Sequence, residues 1–196
     1  MSRHEVTPWQ QGELDGLCGL YAIINAMKLL AASRGHNFTD SSGAELFRQM
    51  VRSLHKRNLL PNALWDGTSI MHVRNFLGGA KTFMRRNYGL DLVYSQLARK
   101  GEITRKDVFW RFLDSALAGD GMYDFRFKTP YQRVALLGLG DPLPHWTLAY
   151  GVTASSIKLI DSGSRFSLKY SACTVGESQP NHWMIEPEHT LVIATV

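Results

Sequence analysis

The sequence predicts an α+β domain, helical in its first half and stranded in its second. Between residues 17 and 119 apolar side chains recur mainly at helical spacing. From residue 123 onward, short alternating or apolar runs are separated by Gly, Pro, Ser and Asp, the pattern of strands and turns. Helices grouped before strands are the layout of an α+β architecture with an antiparallel sheet, not of repeating βαβ units.

Residues 1–16 read as an extended or looped lead-in, with Pro8 and two glycines, Gly12 and Gly16, marking turns. Over residues 17–33 the apolar positions 17, 20, 21, 24, 27 and 31 follow one helical face, and Ile23, Ala26 and Leu30 fill the opposite one. A helix apolar on both sides is a buried helix. Gly35 is its expected stop. Ser42 with Glu45 has the form of a capping box for a surface helix whose stripe is Phe47, Met50, Val51 and Leu54. Residues 58–67, with Pro61, read as a connecting loop. Thr68 is the expected cap of a helix carrying Ile70, Val73, Phe76 and Leu77, weakening at Gly78-Gly79.

A short strand is predicted at 90–96, and Thr104 with Asp107 opens a helix that packs Val108, Phe109, Phe112, Leu113, Ala116 and Leu117 and ends near Gly119. Strands follow at 123–127, 134–139, 145–152, 157–160, 166–170 and 191–196.

With 196 residues, 44% hydrophobic and 20% charged, the chain suits a single soluble globular domain over 1–196. Its 22 Lys and Arg against 17 Asp and Glu give a net charge of +5, spread over pairs such as Lys56-Arg57 and Arg85-Arg86. Scattered basic pairs without interleaved aromatics describe a solvated surface, so no nucleic-acid partner is expected. No apolar run reaches the roughly 18 residues of a membrane span, and the first residues lack the layout of a secretory signal. A cytoplasmic location follows as the expectation, with export lacking a cleavable signal as the variant for an effector or toxin. Cys18 and Cys173 are expected to stay reduced there.

Cys18 stands where the polar, glycine-bearing loop turns into the first apolar helix. The unpaired N–H groups of a helix N-terminus favour thiolate, the nucleophilic form of sulfur. Such a nucleophile needs a base and a group to orient that base. His145 opens the strand Trp146-Thr147-Leu148-Ala149-Tyr150-Gly151-Val152, and Asp161 closes Ile157-Lys158-Leu159-Ile160. If the two strands form a hairpin about residues 153–156, His145 and Asp161 fall at the same edge. His182, in Asn181-His182-Trp183, is the rival base, without an evident orienting carboxylate downstream. Cys173 reads as structural, and His36, His55, His72 and His189 have no metal-site spacing.

The segment from Gln11 through Gly16-Leu17-Cys18-Gly19 to Ala22, with His145-Trp146-Thr147-Leu148 and Leu159-Ile160-Asp161-Ser162-Gly163, resembles the papain-like cysteine peptidases. It is most similar in style to the compact bacterial members that process bacteriocin leaders. The likeness covers both ends of the chain and hardly touches residues 35–120. It implies a papain-like fold, with a central helix on a C-terminal antiparallel sheet, and cleavage of a peptide or isopeptide bond in a protein or peptide partner. By the same resemblance Cys18 is the nucleophile, His145 the base and acid, Asp161 the orienting group, and Gln11 an oxyanion donor, with no cofactor and no metal. Members commonly set this Gln slightly nearer the Cys, where this chain has Gly12, preceded by Gln11 and Gln10. The same triad also serves acyl transfer to an amine, as in transglutaminase-like enzymes. A non-catalytic binding module on the same scaffold is the third reading.

Overall fold

A computed structural model describes residues 7–8, 16–118, 133–140, 144–161 and 163–196. The helices are α1 (Cys18–Ser33), α2 (Asp40–Lys56), α3 (Leu60–Trp65), α4 (Ile70–Tyr88) and α5 (Lys106–Ala118). The strands are β1 (Leu92–Gln96), β2 (Arg133–Leu139), β3 (His145–Val152), β4 (Ser156–Asp161), β5 (Ser164–Lys169), β6 (Cys173–Val175) and β7 (Trp183–Thr195). This is the α+β layout expected from the periodicities, with the central helix on the sheet that the papain-like resemblance implies.

The sheet order is β1-β7-β2-β3-β4-β5, antiparallel throughout, and β6 adds a parallel pairing along the first part of β7. Both faces of its centre are covered. Val134 and Leu136 of β2, with Trp146 and Leu148 of β3, join the core formed by α1 to α4. Ala135, Leu137 and Leu139 join Ala149 and Leu159 in a second core under α5. That double cover explains why β2 is buried at every residue, where a one-sided sheet would alternate.

Helix α1 is buried from Cys18 to Ala31 except at Lys28, which reaches Asp40 at 3.0 Å. In α2 the buried stripe is Leu46, Met50 and Leu54, flanked by the partly buried Phe47 and Val51. Its N-cap is Thr39, whose hydroxyl accepts from the Ser42 N–H, so the expected Ser42–Glu45 box is not formed. Glu45 instead accepts from Gln49 one turn on.

Four other expectations are corrected. Residues 58–67 contain α3, which starts with Pro61 in its first turn, a position where the missing N–H costs nothing. Helix α4 is capped by Ser69 rather than Thr68, in a reciprocal box with His72. It also runs unbroken through Gly78 and Gly79 to Tyr88, because the apolar positions on either side keep it on the core. The C-terminal strand is longer than 191–196: β7 begins at Trp183 and shifts register against β2 between Leu137 and Gly138. The expected strand at 123–127 and the helix end near Gly119 lie outside the described residues.

Because Leu20 is fully buried in α1, Leu20→Ala is expected to cost about 2–5 kcal/mol of unfolding free energy. Trp65, 86% exposed at the end of α3, provides the contrast: Trp65→Ala is expected to change stability by less than about 0.5 kcal/mol. Urea denaturation of the two variants checks both values.

Candidate active site

Cys18 is the first residue of α1, whose N-cap residue, Leu17, makes no side-chain cap. Its thiol is buried at the seam between α1 and β3, where Sγ accepts the Trp146 N–H at 3.4 Å. The Gly16 carbonyl lies at 4.0 Å and the Thr68 hydroxyl at 3.7 Å.

The β3–β4 hairpin forms about a turn in which the Thr153 hydroxyl accepts from the Ser155 and Ser156 N–H groups. Its register runs Leu148 to Ile160 and Val152 to Ile157, with an irregularity between Ala149 and Gly151. His145 and Asp161 therefore meet at one edge. His145 Nε2 lies 2.8 Å and 2.9 Å from the two carboxylate oxygens, and both side chains are about three-quarters buried. With Nε2 engaged by Asp161, Nδ1 is the ring nitrogen left for Cys18, the other group that acts on the His145 charge.

The electrostatics of the two partners move in opposite directions. Burial works to raise the Cys18 pKa, but the hydrogen bond and charge of His145, then the Trp146 N–H and the Thr68 side chain, outweigh it. The thiol ends below its ordinary 9.0. Burial works to lower His145, but the Asp161 hydrogen bond, the Cys18 hydrogen bond and the charges of both lift it to about 10. Each shift favours the charged form, thiolate on Cys18 and imidazolium on His145.

No protein-family model and no curated protein matches the chain. The chain is similar to the peptidase domain of Streptococcus ComA, a bifunctional ABC transporter involved in a quorum-sensing pathway. The identity is 13% and the TM-score 0.47, over 97% of this chain and 98% of that one. At that distance the likeness carries no argument about chemistry, which rests on the geometry above.

Of the residues singled out from sequence, the structure brings Cys18, His145 and Asp161 together. Gln10 and Gln11 lie outside the described residues. His182 is half-buried beyond β6, its Nδ1 2.9 Å from the Pro180 carbonyl. Cys173 is buried, its carbonyl accepting from Lys106 at 2.9 Å, and burial pushes its thiol to about 11.

Two features escaped the sequence reading. His189 Nδ1 lies 2.5 Å from Glu186, beside the Trp146 indole, at the irregular stretch of β7. Space for this second pair comes from Gly138, where a Cβ would stand 2.5 Å from that of His189. The other is Thr68, taken as a helix cap, whose hydroxyl and carbonyl both face the Cys18 seam. Gly19 was its available signal: a glycine in the first turn of an otherwise apolar helix marks a close approach.

His145→Ala removes the largest of the influences that lower the Cys18 pKa, so its midpoint is expected to move up toward the ordinary thiol range. Alkylation by iodoacetamide at pH 7 should then slow by about tenfold or more. Asp161→Asn should shift the midpoint in the same direction by less, because His145 stays in place but loses its main support as a cation. Rate-against-pH profiles of the two variants check both.

Proposed function

We propose that this chain is a cysteine peptidase of papain-like design, acting as one domain on a peptide or isopeptide bond of a protein or peptide substrate. The observation that carries the reading is the His145–Asp161 pair at 2.8 Å, beside a thiol on the first turn of a buried helix whose sulfur accepts the N–H of the next residue, Trp146. A structural cysteine has no use for such a partner set, and Cys173 lacks one.

In this reading the thiolate of Cys18 attacks the substrate carbonyl carbon, and the carbonyl π electrons move to oxygen. The Cys18 N–H at the helix end, with Gln11 from the preceding loop, stabilises that oxyanion. His145, protonated on Nδ1, gives its proton to the departing amine as the C–N bond breaks, leaving a thioester on Sγ. The now neutral imidazole takes a proton from water, whose oxygen attacks the thioester, and Sγ leaves as thiolate while the acid product departs. Asp161 holds one tautomer and one ring orientation throughout. No cofactor enters this sequence.

The test is intact-mass analysis after an acyl-trapping electrophile such as a peptide vinyl sulfone, combined with cleavage profiling on peptide libraries and ubiquitin-like conjugates. A single adduct on Cys18, lost in Cys18→Ala together with cleavage, is the expected result. Labelling of Cys173 alone, or cleavage persisting in Cys18→Ala, overturns the reading.

A further inference from the structure

Thr68 sits in the connection between α3 and α4, 50 residues from Cys18, and is nearly fully buried. Its polar atoms make contacts that converge on the nucleophile. The hydroxyl oxygen accepts the Gly19 N–H at 3.1 Å, closing one of the open amides of the α1 N-terminus. The backbone carbonyl accepts the Trp146 indole N–H at 2.6 Å, which ties the same residue to β3. Among the described residues, the other hydrogen-bond partner of the hydroxyl is Cys18 Sγ at 3.7 Å.

The direction of that last contact follows from the inventory of groups. A threonine hydroxyl has one proton to donate, and an oxygen that accepts from a backbone N–H directs its own O–H elsewhere. A thiolate has no proton and can only accept. When Cys18 is ionised, Thr68 is therefore the donor and Sγ the acceptor, alongside the Trp146 N–H and His145.

We propose that Thr68 is an activating and positioning residue for Cys18, its hydroxyl donating to the thiolate while the Gly19 N–H and the Trp146 indole hold it in place. This rests on the reading of Cys18 as the nucleophile. The hydroxyl keeps its proton throughout, so it changes the standing of the sulfur without taking part in proton transfer. It favours thiolate before attack and favours the same thiolate as leaving group when water resolves the thioester.

Gly19 is the complement of this contact. A Cβ at position 19 would lie 2.6 Å from Thr68 Oγ1 and 3.0 Å from Val73 Cγ2, so the residue after the nucleophile has no side chain where the hydroxyl must sit. The pairing of a cysteine with a following glycine is thus a packing requirement of the Thr68 approach.

The experiment uses the full chain carrying Cys173→Ser, so that Cys18 is the only thiol, and measures iodoacetamide alkylation from pH 4 to 10. Thr68→Val preserves shape and removes the hydroxyl; Thr68→Ser preserves the hydroxyl and removes the methyl; Thr68→Ala is a second hydroxyl-free variant should the valine pack poorly. The expected result is an upward shift of the midpoint by about one pH unit in the Val and Ala variants, with roughly tenfold slower alkylation below it. The alkaline plateau should be unchanged, and the Ser variant should track the parent. A looser loop alone would alter the rate at every pH and leave the midpoint in place.

A lowered midpoint in the parent that Thr68→Val and Thr68→Ala leave unmoved overturns the role of Thr68 and leaves the cysteine peptidase reading standing. A shift in Thr68→Ser equal to that in Thr68→Val also overturns it, since the methyl and not the hydroxyl would then matter. A parent midpoint at the ordinary thiol value overturns the reading of Cys18 itself.

Discussion

The seam between the first turn of α1 and the first residues of β3 is the interaction on which the site depends. It buries a sulfur atom, and burial alone keeps a thiol protonated. Cys173 is the internal control. Both cysteines are buried, burial raises both, and Lys106 adds a lowering charge near Cys173, yet that thiol rises to about 11 while Cys18 falls below 9.0. The difference lies in donors placed at Sγ: the imidazole of His145, the Trp146 N–H and the Thr68 hydroxyl. A desolvated sulfur surrounded by fixed donors carries stronger electrostatic interactions than an exposed one, because water does not screen them.

These donors come from parts of the chain far apart in sequence, so the fold must fix their relative positions. The covered sheet does this. Strands β2 and β3 are held between the α1–α4 core and the α5 core, which leaves β3 no freedom to slide. A slip of one residue in the β3–β4 ladder would send His145 and Asp161 to opposite faces and take either Leu148 or Ile160 out of the core they share with α1. The apolar core and the His145–Asp161 contact therefore select the same register.

Much of this layout is legible in the sequence because it depends on local periodicity. The two-sided apolar pattern of residues 17–31 marks the buried central helix, and the alternation around Thr153 to Ser156 marks the hairpin. Errors arise where tertiary contacts override local signals. Thr39 caps α2 while the Ser42 hydroxyl accepts from Tyr88, on α4, at 2.8 Å, a contact that no local pattern records. Gly78 and Gly79 do not interrupt α4 because Phe76, Leu77, Ala80, Phe83 and Met84 anchor it on both sides. The parallel pairing of β6 is invisible locally because Cys173 to Val175 is too short to show a period. Thr68 escaped for a related reason: a Thr before Ser69 at a helix start has an ordinary local explanation, and its actual role is set by residues 49 and 78 positions away.

The same contacts reassign the meaning of the glycines around Cys18. A loop rich in glycine is usually read as a need for tight turns. Here Gly16 and Gly19 bracket the cysteine at points where the α3–α4 segment comes against the chain. A Cβ at Gly16 would stand 2.6 Å from the Ala63 carbonyl and 2.8 Å from that of Leu64, whose oxygen also accepts the Gly16 N–H at 3.0 Å. At Gly19 the obstacle is Thr68. Both glycines therefore serve close approach rather than flexibility, and both approaches are made by residues 63–68. The helical middle of the chain is thus what presses on either side of the sulfur. Its short helix and the turn after it abut Gly16 and Gly19, so the position of Cys18 is fixed by the helical middle as much as by the sheet.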